Sequence, residues 1–200
     1  MKPFENKRVL ITGATSGIGK AIAETLLEKG VNGILVGRNK ETLKQFKDRF
    51  GKQTEIHTLC IELTKEKQLY KIPSYLEEKG LKIDFLIHSA GVYNMSSVQH
   101  TSDEMIDLCY KINYKAPVIL TRELLKNLIE SKGHIIFINS TAANQYKKFT
   151  AIYSSFKAAL KSFAEILFHE EHKNGIYLIH TVMKLFSCEQ SRTNRYSFYL

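Results

Sequence analysis

Six short runs rich in Ile, Leu and Val recur along this 200-residue chain. They are RVLIT (8–12), GILVG (33–37), TEIHTLC (54–60), DFLIH (84–88), GHIIFIN (133–139) and GIYLIHTV (175–182). They show little polar–apolar alternation, which is the mark of strands buried on both faces, as in a parallel sheet. Longer segments with helical periodicity lie between them, at 17–30, 40–50, 65–79, 102–130 and 150–173. Strand–helix–strand repeated five times predicts an α/β fold: a Rossmann-type doubly wound parallel sheet, three-layer α/β/α, with about six strands. One domain over 1–182 is expected, followed by an atypical tail at 183–200.

Two of the helical segments carry further detail. In 150–173, Ile152, Phe156, Ala159, Leu160, Phe163, Ile166 and Leu167 form one apolar stripe. In 102–130, Pro117 is interior. Proline has no amide hydrogen, so it removes a helix hydrogen bond and disturbs the backbone around Asn113, leaving a freed carbonyl there.

The first strand runs directly into ITGATSGIGKAI. Gly13, Gly17 and Gly19 give the spacing G-x-x-x-G-x-G, with Thr15, Ser16 and Ile18 between them. Glycines allow a tight turn and close approach to a pyrophosphate, and a helix N-terminus adds amide donors and a favourable dipole. The second strand ends in LVGRN. A site for a ribose 2′-hydroxyl places a carboxylate here, and a site for a 2′-phosphate places an arginine nearby. This chain has Gly37, Arg38 and Asn39, and no acid. Arg38 is permanently charged and suited to a phosphate, so NADP(H) is expected over NAD(H).

Ser140 lies thirteen residues before Tyr153, and Tyr153 four before Lys157. Residues i and i+4 share a helix face, so the phenol and the ammonium are neighbours if 150–173 is helical. A free tyrosine titrates near about 10. A nearby cation favours phenolate and lowers that value, which is a route to a tyrosine acid–base group.

Taken together these residues resemble the classical short-chain dehydrogenase/reductase family over about 6–182. TGATSGIG (12–19) is similar to its cofactor motif. Asn113, Ser140, Tyr153 and Lys157 fall on its four catalytic positions. Glu62 stands where the family usually has an adenine-contacting aspartate, with Leu63 beside it. His88-Ser89-Ala90-Gly91 matches the family's Asn-Asn-Ala-Gly in its last two residues. The resemblance implies hydride transfer between a nicotinamide and a carbonyl or secondary alcohol. Tyr153 would move the proton, Lys157 would lower its pKa and bind the nicotinamide ribose, and Ser140 would orient the substrate oxygen. Asn113 would hold a water in a relay reaching Lys157. It also implies a homodimer through 102–130 and 150–173.

The family pattern breaks after Val182. Its Pro-Gly turn is replaced by Lys184-Leu185, and no residue in 183–200 maps onto its carboxamide-binding threonine. The substrate-covering segment and last strand are missing. The tail then belongs to a shortened relative or, the favoured reading, to a longer gene misread at this point. YSFYL (196–200) could return antiparallel along the open edge of the sixth strand. A catalytically weak, nucleotide-binding relative is therefore the alternative to an active enzyme.

Composition excludes several other classes. No run approaches the roughly 20 apolar residues of a membrane span, and the N-terminus has no signal-peptide core. Cys60, Cys109 and Cys188 are sparse and odd in number, against a disulfide framework or zinc site. A reducing, cytoplasmic setting follows. The net charge of +9 favours anionic partners, but the basic residues are scattered, so no nucleic acid is expected. His169 and His172 lie i, i+3 in a polar helix end and lack metal-helix spacing; His57, His88, His134 and His180 lie in or beside strands and read as structural.

Overall fold

The computed structural model describes Phe4, residues 6–145 and residues 147–183, with backbone alone at 180–183. Six strands form one sheet: β1 (Arg8–Thr12), β2 (Asn32–Gly37), β3 (Ile56–Cys60), β4 (Phe85–His88), β5 (His134–Ser140) and β6 (Tyr177–Met183). Their order is β3-β2-β1-β4-β5-β6, and every pair is parallel. The helices are α1 (Gly17–Glu28), α2 (Lys40–Phe50), α3 (Glu66–Leu69), α4 (Lys71–Glu78), α5 (Asp103–Tyr110), α6 (Ala116–Ser131) and α7 (Ala151–Glu171).

Successive strand residues point to opposite faces, and here both faces are buried. Leu10 joins Leu86, Ile135 and Phe137 in a core under α4, α6 and α7. Val9 and Ile11 join Leu35, Ala23, Leu27 and Phe46 in a second core under α1 and α2. Each fully buried Leu or Ile contributes about 1.5–3 kcal/mol, which explains why these strands carry so few polar residues. The expected three-layer architecture is the one observed.

Two expected helices are divided. The segment 65–79 breaks at Tyr70 into α3 and α4. Pro73 has no amide to offer the Leu69 carbonyl, so the ladder is interrupted there. The segment 102–130 is α5 and α6 joined by a π-helical turn at Lys111–Lys115, closed by the Ala116 amide on the Lys111 carbonyl. This is the disturbance that Pro117 predicts. Strand ends differ by one or two residues from the sequence reading: β3 starts at Ile56 and β6 runs Tyr177–Met183. The tail beyond Met183, including Lys184, Leu185, Cys188 and YSFYL, lies outside the described residues.

The chain winds outward in both directions from β1, with β2 on one side and β4 on the other. Such a switch point leaves a crevice at the carboxyl ends of the strands. The candidate site lies there.

Candidate active site

The β1–α1 turn forms one wall. Gly13 has φ of 71°, and a Cβ on it would sit 2.8 Å from Ala90 backbone atoms. A Cβ on Gly19 would lie 2.4 Å from the Gly13 carbonyl oxygen. Only glycine allows this turn to close against the end of β4. Gly17 also has positive φ, 51°, as α1 begins. The first turn of α1 holds no acidic residue, so its amide end carries an unopposed positive dipole. At the end of β2, Gly37 makes room for Thr15, whose side chain would overlap a Cβ there.

A pocket opens beside this turn, lined by Gly13, Thr15, Ser16, Arg38, Glu62 and Leu63, with Ala90 and Gly91 opposite. Ile61 and Ile112 also line it and carry no motif that would mark them in the sequence. Arg38 Nη1 is 3.5 Å from Glu62 Oε2. Asn39 does not line the pocket. Its side chain accepts the Thr42 amide at 3.0 Å and caps α2.

An adjoining pocket is lined by Ile18, Ser89, Gly91, Val92, Tyr93, Ile138, Asn139, Ser140, Tyr153 and Lys157. The first turns of α7 bury Tyr153 and Lys157, 3% and 5% exposed, against the end of β5. Asn139 Nδ2 donates to the Lys157 carbonyl at 3.0 Å, and Asn139 Oδ1 accepts the Ser140 amide at 2.9 Å. Asn139 thereby ties α7 to the carboxyl end of β5. It directly precedes Ser140, yet nothing in its spacing singled it out.

Ser140 Oγ accepts the Ala142 amide at 3.2 Å and faces the same pocket as Tyr153. Lys157 Nζ donates to the Ile138 carbonyl at 3.1 Å and lies 5.9 Å from the Tyr153 ring centroid. Burial lowers the Lys157 pKa to about 8. The expected lowering of Tyr153 is not what this arrangement gives. Burial raises its phenol above the ordinary value, only partly offset by Ser140, and the nearby Tyr93 and Cys109 raise it further. Tyr93 packs edge-on to Tyr153, with centroids 4.9 Å apart.

Asn113 sits in the π turn, fully buried. Its Nδ2 donates to the Val92 carbonyl at 2.9 Å, and its Oδ1 accepts the Val92 amide at 3.1 Å. The α-helical partner of the Asn113 carbonyl would be the amide of residue 117, which is proline, so that bond cannot form. A Cβ on Gly91 would be 3.3 Å from Asn113 Oδ1 and 3.8 Å from Lys157 Nζ. The glycine thus lets both groups reach one corner of the pocket.

His88 points away from the site. It is stacked on Phe137 at 5.0 Å, bonded to Thr121 Oγ1 at 2.9 Å, and burial lowers its pKa to about 3. It braces the sheet, as expected. His57, His134 and His180 also lie in strands. Among the described residues, no three His, Cys, Asp or Glu side chains converge on a metal-binding position.

The two pockets share Gly91 as a lining residue. The family model of short-chain dehydrogenases matches residues 7–193. The chain belongs to the short-chain dehydrogenase family. An uncharacterized oxidoreductase of Staphylococcus saprophyticus is 31% identical over 88% of this chain and 76% of its own length. A solved 4-hydroxyisoleucine dehydrogenase complexed with NADH is 31% identical, with TM-score 0.79 over 86% of this chain and 70% of that one. The closed form of a serine dehydrogenase complexed with NADP+ is 28% identical, with TM-score 0.81 over 89% of this chain and 72% of that one. The chain spans 64% of the length of a short-chain dehydrogenase from Streptomyces avermitilis and 82% of that of a serine dehydrogenase from Escherichia coli. These relatives are oxidoreductases, and those with a bound nicotinamide cofactor include both the NADH and the NADP+ kind.

Three features fit a nicotinamide dinucleotide. A side chain at Gly13 or Gly19 would fill the cradle. The α1 amide end is unneutralised. The buried Ser89 Oγ has no hydrogen-bond partner among the described residues.

Proposed function

We propose that this protein is an NADP(H)-dependent oxidoreductase acting on a small-molecule carbonyl or secondary alcohol. The observation that carries this is the convergence of Ser140, Tyr153 and Lys157 on a pocket that shares Gly91 with the one beside the glycine cradle, with Asn113 Oδ1 buried against that same glycine. Gly13, Thr15, Ser16, Gly17, Ile18 and Gly19 would hold the pyrophosphate, and Ser89, Ala90 and Gly91 would flank the path between the pockets. Glu62 and Leu63 lie at the adenine end. Arg38 would meet a 2′-phosphate, because no acid follows β2 to accept a 2′-hydroxyl.

The bound dinucleotide supplies or accepts the hydride. The rest falls to this chain. Ser140 would hold the substrate oxygen beside the Tyr153 hydroxyl. A buried tyrosine with a raised pKa is fully protonated at neutral pH, so it is equipped to donate to an alkoxide oxygen as it forms. The group that re-protonates it is Lys157, whose pKa near 8 lies close to neutral. Asn113, with a carbonyl that α6 cannot claim, would connect Lys157 to solvent through water.

The same reading extends to assembly and place. Ile166 and Phe168 are exposed apolar residues on α7, 55% and 41% accessible. They suit a homodimer through α5–α6 and α7. Cys60 and Cys109 are free thiols, which suits a cytoplasmic setting.

The test is NADPH titration by fluorescence, then turnover against ketones, quinones and hydroxysteroids. Tyr153→Phe should bind NADPH normally and lose turnover by about 10²-fold or more. Retained turnover would remove Tyr153 from the chemistry. Tight NADPH binding with no turnover in the unsubstituted chain would identify a nucleotide-binding relative instead.

A further inference from the structure

We infer that Glu62 is a specificity-determining residue: it holds the Arg38 guanidinium and so moderates the preference for a 2′-phosphorylated cofactor. This rests on the reading of Arg38 as the 2′-phosphate contact. The pair is built on two adjacent strand ends. The Ile61 amide donates to the Gly37 carbonyl at 3.0 Å, which fixes the end of β3 against β2. The Cys60 thiol lies on the Arg38 carbonyl at 3.4 Å. The Glu62 amide donates to Gln68 Oε1 at 2.7 Å, and Glu62 Oε1 takes the Thr64 amide at 3.4 Å. The other carboxylate oxygen, Oε2, is the one facing Arg38 Nη1 at 3.5 Å. Both residues line the same pocket.

Two effects on a 2′-phosphate follow. The guanidinium is shared, so the phosphate gains less from it than from an arginine with no acid beside it. The carboxylate also stands within a few ångströms of a group carrying roughly two negative charges, and like charges at that range repel. A 2′-hydroxyl meets neither effect. The Arg38 and Glu62 side chains are 47% and 28% exposed, so solvent screens the pair and the effect is moderate. Glu62 leaves the protein able to use both cofactors, with NADP(H) ahead by less than Arg38 alone would give.

The experiment is fluorescence titration of NADPH and NADH into the full chain carrying Glu62→Gln, Glu62→Ala, Arg38→Ala or Arg38→Ala with Glu62→Gln. Melting temperatures confirm folding. Either Glu62 substitution should tighten NADPH by about three- to tenfold and change NADH by less than about twofold. Taking the ratio of the two cofactors cancels any contact Glu62 makes to adenine, which both share. An unchanged ratio in both variants would overturn the inference. So would an equal gain from Glu62→Gln in the Arg38→Ala background, because Glu62 would then act without Arg38. If Arg38→Ala itself leaves NADPH binding unaltered, it is the 2′-phosphate reading of Arg38 that fails.

Discussion

The residues proposed as catalytic stand out in the sequence because their spacing follows from chemistry. A phenol and an ammonium one helical turn apart, with a serine at a strand end upstream, could be found without coordinates. Their protonation could not. Burial is a tertiary property, and it sets Lys157 near 8 and raises Tyr153, against the simple expectation that a neighbouring cation lowers the phenol. Asn139 was missed for a related reason. Its work is to tie two backbones together, and that pattern has no sequence period. His88 offers a direct test of burial. Its pKa is about 3 when folded and 6.5 as an ordinary histidine. The unfolded chain therefore binds the extra proton first, and the stability held above pH 6.5 is lost as pH falls toward 3. The slope reaches about 1.4 kcal/mol per pH unit within that window. His88→Asn should cost about 1–3 kcal/mol at pH 7 through lost packing, with a smaller deficit at pH 4.5. Urea unfolding at the two pH values measures it, and an equal deficit at both would rule out the titration.

Among the elements, the strands were easier to read than the helices. A strand buried on both faces announces itself in four to seven residues. A helix interruption is quieter when an apolar stripe continues across it. Leu69, Ile72 and Leu76 enter the same core from both sides of the break near Tyr70, so the stripe masked Pro73. Pro117 was legible because it stood next to a residue with a role to explain. Replacing it tests that link. Pro117→Ala restores an amide within reach of the Asn113 carbonyl, which favours regular α-helix through 111–117. Turnover should fall between about tenfold and a hundredfold, the scale of a small misplacement in a catalytic group. NADPH affinity should change little. Unaltered kcat would show that the turn keeps its geometry for other reasons.

The doubly wound architecture followed from alternation alone, whereas the order β3-β2-β1-β4-β5-β6 did not, because the same alternation suits several strand orders. Assembly sits at this scale too. Ile166 is exposed on α7 and lines a shallow groove with Tyr114, Ala159, Phe163 and Glu170. In the proposed homodimer, Ile166→Glu should give a monomer in light scattering while leaving NADPH binding intact; a dimer mass unchanged by the substitution would place the interface elsewhere. The turn at Lys111–Lys115 does more than position Asn113. Relative to an α-helical ladder it holds one more residue, and one residue is about 100° of rotation. It therefore sets the angular phase between α5 and α6. With that offset, Tyr110 meets Phe156 of α7 at 5.7 Å while Leu120 and Leu124 still face the sheet. The residue count of this segment, as much as its composition, keeps both helices aimed at one core.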